Sequence, residues 1–230
     1  MERHLLKSSI ISLLFFTGLN SYAQHVDFTE RIHLPLWAEI DAYPELEEAQ
    51  NTDAGIYDFA INRIRQVGPY LLNGMVYGWN FSYTPSDKLR GVQEYFEVTE
   101  INTVQPSDNP ITYAKPWIQD NLVHCWLEYE RTPQQIWNLK AWSAITTEKI
   151  QGRGNGKISH GFEGIQEASR EALKEAIRAH YRALIKNKPK LIEGKVIIRD
   201  APKIGLKAGQ YIVELDFFLE TDRIVKYSQF

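Results

Sequence analysis

FEGIQEASREALKEAIRAHYRALIK, residues 162–186, is the stretch that most strongly constrains the fold. Its apolar residues recur every three or four positions, so on a helix they would form one continuous stripe. The stripe consists of Ile165, Ala168, Ala172, Leu173, Ala176, Ile177, Tyr181 and Leu184. The stretch therefore predicts a long amphipathic helix that packs through this stripe onto another layer of structure.

A shorter helix is predicted at residues 54–67, and each helix precedes a copy of a related octapeptide. PYLLNGMV at residues 69–76 and PKLIEGKV at residues 189–196 share Pro, Leu, Gly and Val at the same spacing. Four identities in eight positions are within chance. The context adds weight, because each octapeptide follows a predicted helix and precedes a predicted pair of strands.

The octapeptides suggest how the chain passes from helix to sheet. We expect Pro69 and Pro189 to end the two helices, because proline cannot continue a helix. We expect Gly74 and Gly194 to adopt positive φ where the chain turns. A tandem α-β-β duplication is one explanation, and repeated use of Pro and Gly at helix-to-strand connections is the other. No phosphate-binding pattern accompanies the glycines, which disfavours a ligand loop used twice.

Several segments alternate apolar and polar residues with the period of two that favours strands. Residues 77–83 place aromatic side chains on one face, and residues 91–101 are predicted to return beside them. Residues 210–219 alternate in the same way. In residues 122–131, the two faces carry Val123, Cys125, Leu127 and Tyr129 on one side and His124, Trp126, Glu128 and Glu130 on the other.

Together these elements predict an α+β fold, with a mostly antiparallel, meandering sheet and the two main helices packed on one face. The predicted segments are a signal peptide (1–23), an irregular lead-in (24–50), a first α-β unit with extra strands (51–150), a Gly-rich connector (151–161) and a second α-β-β unit (162–230). The two units are compatible with one continuous domain. Within the first unit, residues 105–121 are expected to form a loop, and residues 134–150 a further strand or a mixture of strand and turn.

The first 23 residues have the three parts of a secretory signal. Arg3 and Lys7 give a positive start, an apolar run follows, and Ser21 and Ala23 put small residues at the positions that a signal peptidase reads. We therefore expect a chain exported to the periplasm or secreted, with a mature form that begins at Gln24. No later stretch is apolar enough to predict a transmembrane segment.

Charge and cysteine content restrict the possible partners and chemistry. The net charge of −3 and the lack of a basic block argue against nucleic acid as a partner. Cys125 is the single cysteine, so an exported chain would have no internal disulfide. We interpret it as a small buried hydrophobe, with a thiol nucleophile as the alternative, because activation would require a base near the sulfur. His-x-x-x-His, His-Glu-x-x-His and Cys-pair signatures are absent, so neither a metal nor a cofactor is expected.

Two function classes remain open, and both involve residues 122–131. The preferred one is a non-enzymatic binding or assembly module that contacts an envelope protein or a glycan, with Trp126, His124 and Trp79 as the binding residues. The alternative is a carbohydrate or cell-wall hydrolase, with Glu128, Glu130 and His124 as the acid/base candidates. A cleft with Glu128 facing a second carboxylate would favour the hydrolase, and a flat open face would favour the binding module. The sequence leaves the oligomeric state open.

Overall fold

The structure is a computed structural model, and it describes residues 30–41, 55–144 and 146–227. The predicted signal peptide, residues 1–23, lies outside these ranges. The helices and strands in chain order are β1 (Arg31–Glu39), α1 (Asp58–Val76), β2 (Trp79–Thr84), β3 (Tyr95–Glu100), β4 (Thr112–Gln119), β5 (Leu122–Glu130), α2 (Pro133–Trp142), β6 (Glu148–Lys157), α3 (Phe162–Leu184), β7 (Leu191–Ile198), β8 (Lys203–Lys207) and β9 (Gln210–Val225). Short 3-10 turns lie at Lys88–Arg90 and Ile158–His160.

The strands form two antiparallel sheets. The smaller sheet has the order β1-β5-β4. The larger sheet has the order β3-β2-β7-β9-β6, and β8 also pairs with β9. The predicted α+β class with a mostly antiparallel sheet is therefore confirmed, although the strands are divided between two sheets.

The helices pack against these sheets around one hydrophobic core. α1 contacts β1 and β5 of the smaller sheet and β7 of the larger one, while α3 contacts β6 and β9. One cluster of buried apolar residues includes side chains from both sheets and both helices. The predicted units at residues 51–150 and 162–230 also share a sheet, because β2 pairs directly with β7.

The predicted long helix at residues 162–186 is confirmed as α3, and its stripe from Ile165 to Tyr181 is buried. Leu184 was also assigned to the stripe, which is wrong, because it is exposed at the end of the helix. The prediction of a Gly-rich connector at residues 151–161 is wrong, because most of this segment belongs to the strand β6. Gly154 shows why a strand forms here: a Cβ atom on it would lie 2.1 Å from the carbonyl oxygen of Ala168 in α3. The glycines of β6 therefore allow the helix backbone to approach the strand backbone, and they are not a flexible linker.

α1 begins later than predicted and continues through Pro69 to Val76. The end predicted at Pro69 is wrong because the buried side of the helix continues through Leu71, Leu72 and Met75. Burial of three such side chains is worth about 5 kcal/mol or more, whereas an internal proline costs about 3 kcal/mol.

Gly74 has a packing role inside α1. The positive φ predicted for it is wrong, since the turn into β2 is made by Gly78 with φ +80°. A Cβ atom on Gly74 would lie 2.7 Å from Cδ1 of Ile198 and 2.8 Å from Cζ2 of Trp79. The glycine therefore lets α1 lie close to the larger sheet.

The two octapeptides occupy different elements. The first lies within α1, whereas the second starts in the connection after α3 and enters β7. Pro189 does not end α3, which stops at Leu184. The prediction of a positive φ is also wrong for Gly194, which lies in β7 beside a register shift. A Cβ atom on Gly194 would lie 2.3 Å from the carbonyl oxygen of Glu220. The order helix, strand, strand does recur, so the duplication hypothesis rests on element order and not on the octapeptides.

Two strands lie where irregular chain was expected. Residues 31–39 of the lead-in form β1, which carries Pro35 and pairs with β5 at one edge of the smaller sheet as far as the described residues show. Residues 112–119 of the expected loop form β4 at the other edge of that sheet, and β4 carries Pro116 next to a bulge with Lys115 at φ 48°. Proline is tolerated at sheet edges and bulges, so these prolines did not exclude strands.

The strand or turn expected at residues 134–150 is instead the helix α2 up to Trp142. Its start has a full capping box between Thr132 and Gln135, with Pro133 at the first helical position. These signals favour a helix start over a strand. The predicted strand is correct only for the last residues, which belong to β6.

Candidate functional site: a column of rings and an interlayer cavity

The alternation predicted for residues 122–131 is confirmed in β5, with one face buried in the core. Cys125 lies on that buried face, and burial raises the pKa of its thiol. A raised pKa keeps the sulfur protonated and unreactive. The geometry therefore supports a small buried hydrophobe and not a nucleophile.

The outward face of the smaller sheet carries a column of four rings, which we call the ring column: His33, Trp126, Trp117 and His124. The ring centroids of His33 and Trp126 lie 4.1 Å apart, with 22° between their planes. Those of Trp117 and His124 lie 4.9 Å apart, with 10° between their planes. Trp117 and Trp126 connect the two pairs at 6.2 Å. The strands β1, from the lead-in, β4, from the expected loop, and β5 thus each supply part of a single surface.

Strand register explains how the ring column forms. His33 lies opposite Glu128, and Trp117 lies opposite His124. Side chains directly opposite one another in an antiparallel pair are close enough to interact, and diagonal neighbours such as His33 and Trp126 are within reach of aromatic side chains. His124 and Trp126 are therefore brought together as predicted, while His33 and Trp117 are additions from neighbouring strands.

Charged side chains flank one end of the ring column. One nitrogen of Arg31 lies 3.4 Å from Glu128 and 3.7 Å from Glu130. His33 Nε2 lies 3.7 Å from the other oxygen of Glu128. A guanidinium therefore occupies the space between the two carboxylates that were considered as an acid/base pair.

Trp79 does not belong to this surface. It is 1% exposed and stacks on Tyr70 with ring centroids 5.4 Å apart. The assignment of Trp79 as a binding residue is therefore wrong, because its face of β2 packs against the helices.

A second feature, which we call the interlayer cavity, lies between β1, α1 and the β8–β9 hairpin. Its volume is about 230 Å³. The wall is mostly apolar and is formed by Leu34, Pro35, Leu36, Trp37, Glu39, Arg63, Val67, Leu71, Ile165, Pro202, Lys203, Ile204 and Tyr211. Trp37 Nε1 donates to the carbonyl oxygen of Ile204 at 3.3 Å and so joins β1 to β8.

Two charged residues of the cavity wall were missed by sequence reasoning. Glu39 lies in the segment expected to be irregular, and Arg63 lies in the predicted helix at residues 54–67 without a role assigned to it. Both are buried in the structure. The spacing of Arg63, four residues after Phe59 and three after Ala60, was the available signal that it faces inward.

Other kinds of site have little support in the described part of the chain. No three His, Cys, Asp or Glu side chains among residues 30–41, 55–144 and 146–227 converge as metal ligands would. None of the helices in these ranges combines the length and apolar character needed to cross a bilayer.

The sequence of this chain is similar to those of known proteins. A protein-family model matches residues 20–227. An uncharacterized protein of Treponema pallidum (strain Nichols) is 30% identical over 201 residues, which cover 86% of this chain and 82% of that protein. No solved structure matches the chain.

Proposed function

The chain belongs to the protein family whose model matches residues 20–227, and we propose that it is an exported, non-enzymatic binding module that holds a protein partner against the ring column. The observation that carries the proposal is the column itself, on the solvent-facing side of the smaller sheet. Trp117 is 37% exposed at this surface. A group of large aromatic rings at a solvent-facing surface is typical of an interaction site, and tryptophan is enriched among residues that dominate protein interfaces.

The surroundings of the ring column match the anatomy of a protein interface. Arg31, Glu128 and Glu130 form a charged margin beside the aromatic centre. Interfaces between proteins commonly have an apolar centre with a polar rim. This arrangement supports a protein partner with complementary charges at its edge.

A glycan partner is less well supported by the same geometry. A sugar ring that stacks on an aromatic residue needs a free ring face. In the ring column, His33 covers Trp126 and His124 covers Trp117. One face of each tryptophan ring is therefore already covered, which leaves less free ring area for a stacked sugar.

The hydrolase alternative also has weaker support. Canonical glycosidases place two carboxyl groups on either side of the scissile bond. Glu128 and Glu130 follow one strand, and both approach the same nitrogen of Arg31. They line a small hollow of about 140 Å³ together with Arg31, and they do not face each other across a cleft, which supports the hydrolase less well than the binding module.

If the partner binds at the ring column, removal of its tryptophans should weaken capture of that partner. The double variant Trp117→Ala/Trp126→Ala should capture its protein partner from an envelope extract about tenfold less well than the wild type, because a hot spot contributes at least about 1.4 kcal/mol. Trp137→Ala is the matched control, since Trp137 is exposed and belongs to α2, not to the strands that carry the column. Thermal unfolding of each variant checks that the fold is kept.

The outcomes of this capture experiment are distinct. Equal capture by wild type and double variant would show that the ring column is not the interface. Capture that survives protease treatment of the extract but not glycosidase treatment would replace the protein partner by a glycan. Loss of capture in Trp137→Ala as well would place the interface elsewhere.

Export gives a second prediction, which rests on residues 1–23 alone. Expressed in full in a Gram-negative host, the chain should be recovered from the periplasm or the medium with Gln24 as its first residue. Ala23→Phe should block cleavage because it puts a large side chain next to the cleaved bond, whereas Ser21→Ala should be processed normally. N-terminal sequencing measures this, and a cytoplasmic protein that retains residues 1–23 would contradict export.

A further inference from the structure

We infer that the interlayer cavity binds a small zwitterion, an α-amino acid with an apolar side chain. The inference uses residues that do not belong to the ring column, so it is independent of the proposed protein partner. It rests on two buried charges of opposite sign that face one cavity and do not neutralise each other.

Arg63 provides the positive charge. It is 3% exposed, and its Nε has no hydrogen-bond partner. The guanidinium carbon lies 5.3 Å from the ring centroid of Phe59, and the guanidinium also lies beside Gly161. None of the ion pairs among the described residues includes Arg63. Arginine stays protonated in proteins, so a buried guanidinium without an anion is a costly feature of the empty cavity.

Glu39 provides the negative charge. It is 7% exposed, and its Oε2 accepts a hydrogen bond from the hydroxyl of Tyr211 at 3.4 Å. Its Oε1 is buried and has no hydrogen-bond partner. A buried carboxylate oxygen without a donor is unfavourable. One acceptor in the cavity wall is therefore available to a ligand.

The two charges line the same cavity but do not pair with each other. Their nitrogen and oxygen atoms do not approach within 4.0 Å, as no Glu39–Arg63 ion pair is formed among the described residues. A ligand carboxylate would pair with Arg63, and a ligand ammonium would pair with Glu39. Both orphaned groups would then be satisfied by one molecule.

The remaining wall determines the rest of the ligand. Leu36, Val67, Leu71, Ile165 and Ile204 line the cavity and offer no hydrogen bonds from their side chains. The volume of about 230 Å³ is below the usual range of about 300–1,000 Å³ for drug-sized ligands. A free amino acid with an aliphatic or sulfur-containing side chain fits these limits.

Other ligand classes leave part of the site unsatisfied. An apolar molecule would leave both charges unpaired. A phosphate ion would pair with Arg63 and with Lys203, which also lines the cavity, but it would be repelled by the buried Glu39 and would leave the apolar wall without contacts. A divalent cation would have Glu39 as its one carboxylate in the wall and would face the charge of Arg63.

The direct test is isothermal titration calorimetry of the full chain with L-leucine, L-isoleucine, L-methionine and L-phenylalanine. At least one of them should bind, and N-acetyl-leucine and leucinamide, which keep one charge each, should bind at least about tenfold more weakly than leucine. Glu39→Gln should lower the affinity by a similar factor. Glu130→Gln, a change at an exposed carboxylate, should leave it unchanged. Failure of all four amino acids to bind overturns the inference, as does equal binding of the singly charged analogues.

A second variant separates a ligand-binding role from a structural one. Arg63→Met should abolish amino acid binding and should raise the midpoint temperature of unfolding of the ligand-free protein, because an unpaired buried charge is replaced by an apolar side chain of similar length. An Arg63→Met protein that is less stable than the wild type, or that fails to fold, overturns the inference, since the charge would then serve the fold. The result is independent of partner capture by the ring column.

Discussion

Replacement of Gly154 by alanine is expected to lower the free energy of unfolding by about 3 kcal/mol or more, which is a large part of the 5–15 kcal/mol typical of a domain. The new Cβ atom would lie 2.1 Å from the carbonyl oxygen of Ala168 and 2.4 Å from the backbone nitrogen of Ala172. Both atoms belong to the backbone of α3, so no side chain can rotate away. The helix would have to move off β6, and its apolar stripe would lose contacts with the sheet.

Gly205→Ala is the matched control for this prediction. Gly205 lies in the strand β8, its φ is not positive, and no atom lies within 4 Å of the place of a Cβ atom. We expect a change within about 0.5 kcal/mol. Urea denaturation of both variants measures the difference. A loss below about 1 kcal/mol for Gly154→Ala would mean that α3 can move off β6 at little cost.

The same glycines show why part of the fold was predictable and part was not. The period of α3 is visible because its apolar residues repeat along one segment, and the helix was predicted correctly. Gly152, Gly154 and Gly156 alternate as well, but a glycine has no side chain whose polarity could mark a buried face. Their role depends on the small residues of α3 opposite them. That information lies in another segment, and no local pattern contains it.

Proline and glycine were the main sources of error for the same reason. Pro69 suggests a helix end when only its neighbours are considered. The burial of Leu71, Leu72 and Met75 against other elements outweighs that local cost. Pro35 and Pro116 suggest irregular chain, yet both lie in strands, β1 and β4, at the two ends of the strand order of the smaller sheet among residues 30–41, 55–144 and 146–227.

Part of the candidate sites could likewise be predicted from local sequence, and part could not. The alternation of residues 122–131 was sufficient to put His124, Trp126 and Glu128 on one face. His33, which stacks on Trp126, comes from β1, far away in the chain, and the register between β1 and β5 brings it close. The interlayer cavity depends on at least four elements that converge in space, so its charges could not be paired from the sequence.

Trp79→Ala is expected to cost about 3–5 kcal/mol of stability, the usual range for removal of a large aromatic side chain from a core. Trp79 is 1% exposed, and its ring contacts Tyr70 and also Phe217, 6.1 Å away between centroids. Gly74 lies against the same ring, so the cavity left by the mutation would be enclosed by α1 and the larger sheet. Trp137→Ala should change stability by no more than about 0.5 kcal/mol, because Trp137 is 67% exposed.

Trp79→Phe then distinguishes packing from recognition. The indole Nε1 of Trp79 is buried without a hydrogen-bond partner, so the tryptophan itself carries a desolvation penalty of about 1–3 kcal/mol. Phenylalanine keeps most of the ring and removes that donor, and the stability loss should therefore be much smaller than for alanine. Capture of the protein partner should equal that of the wild type, because Trp79 does not reach the ring column. Loss of capture in a stably folded Trp79→Phe protein would show that Trp79 does contribute to binding. The core around Tyr70 and Phe217 would then have to open when the partner binds.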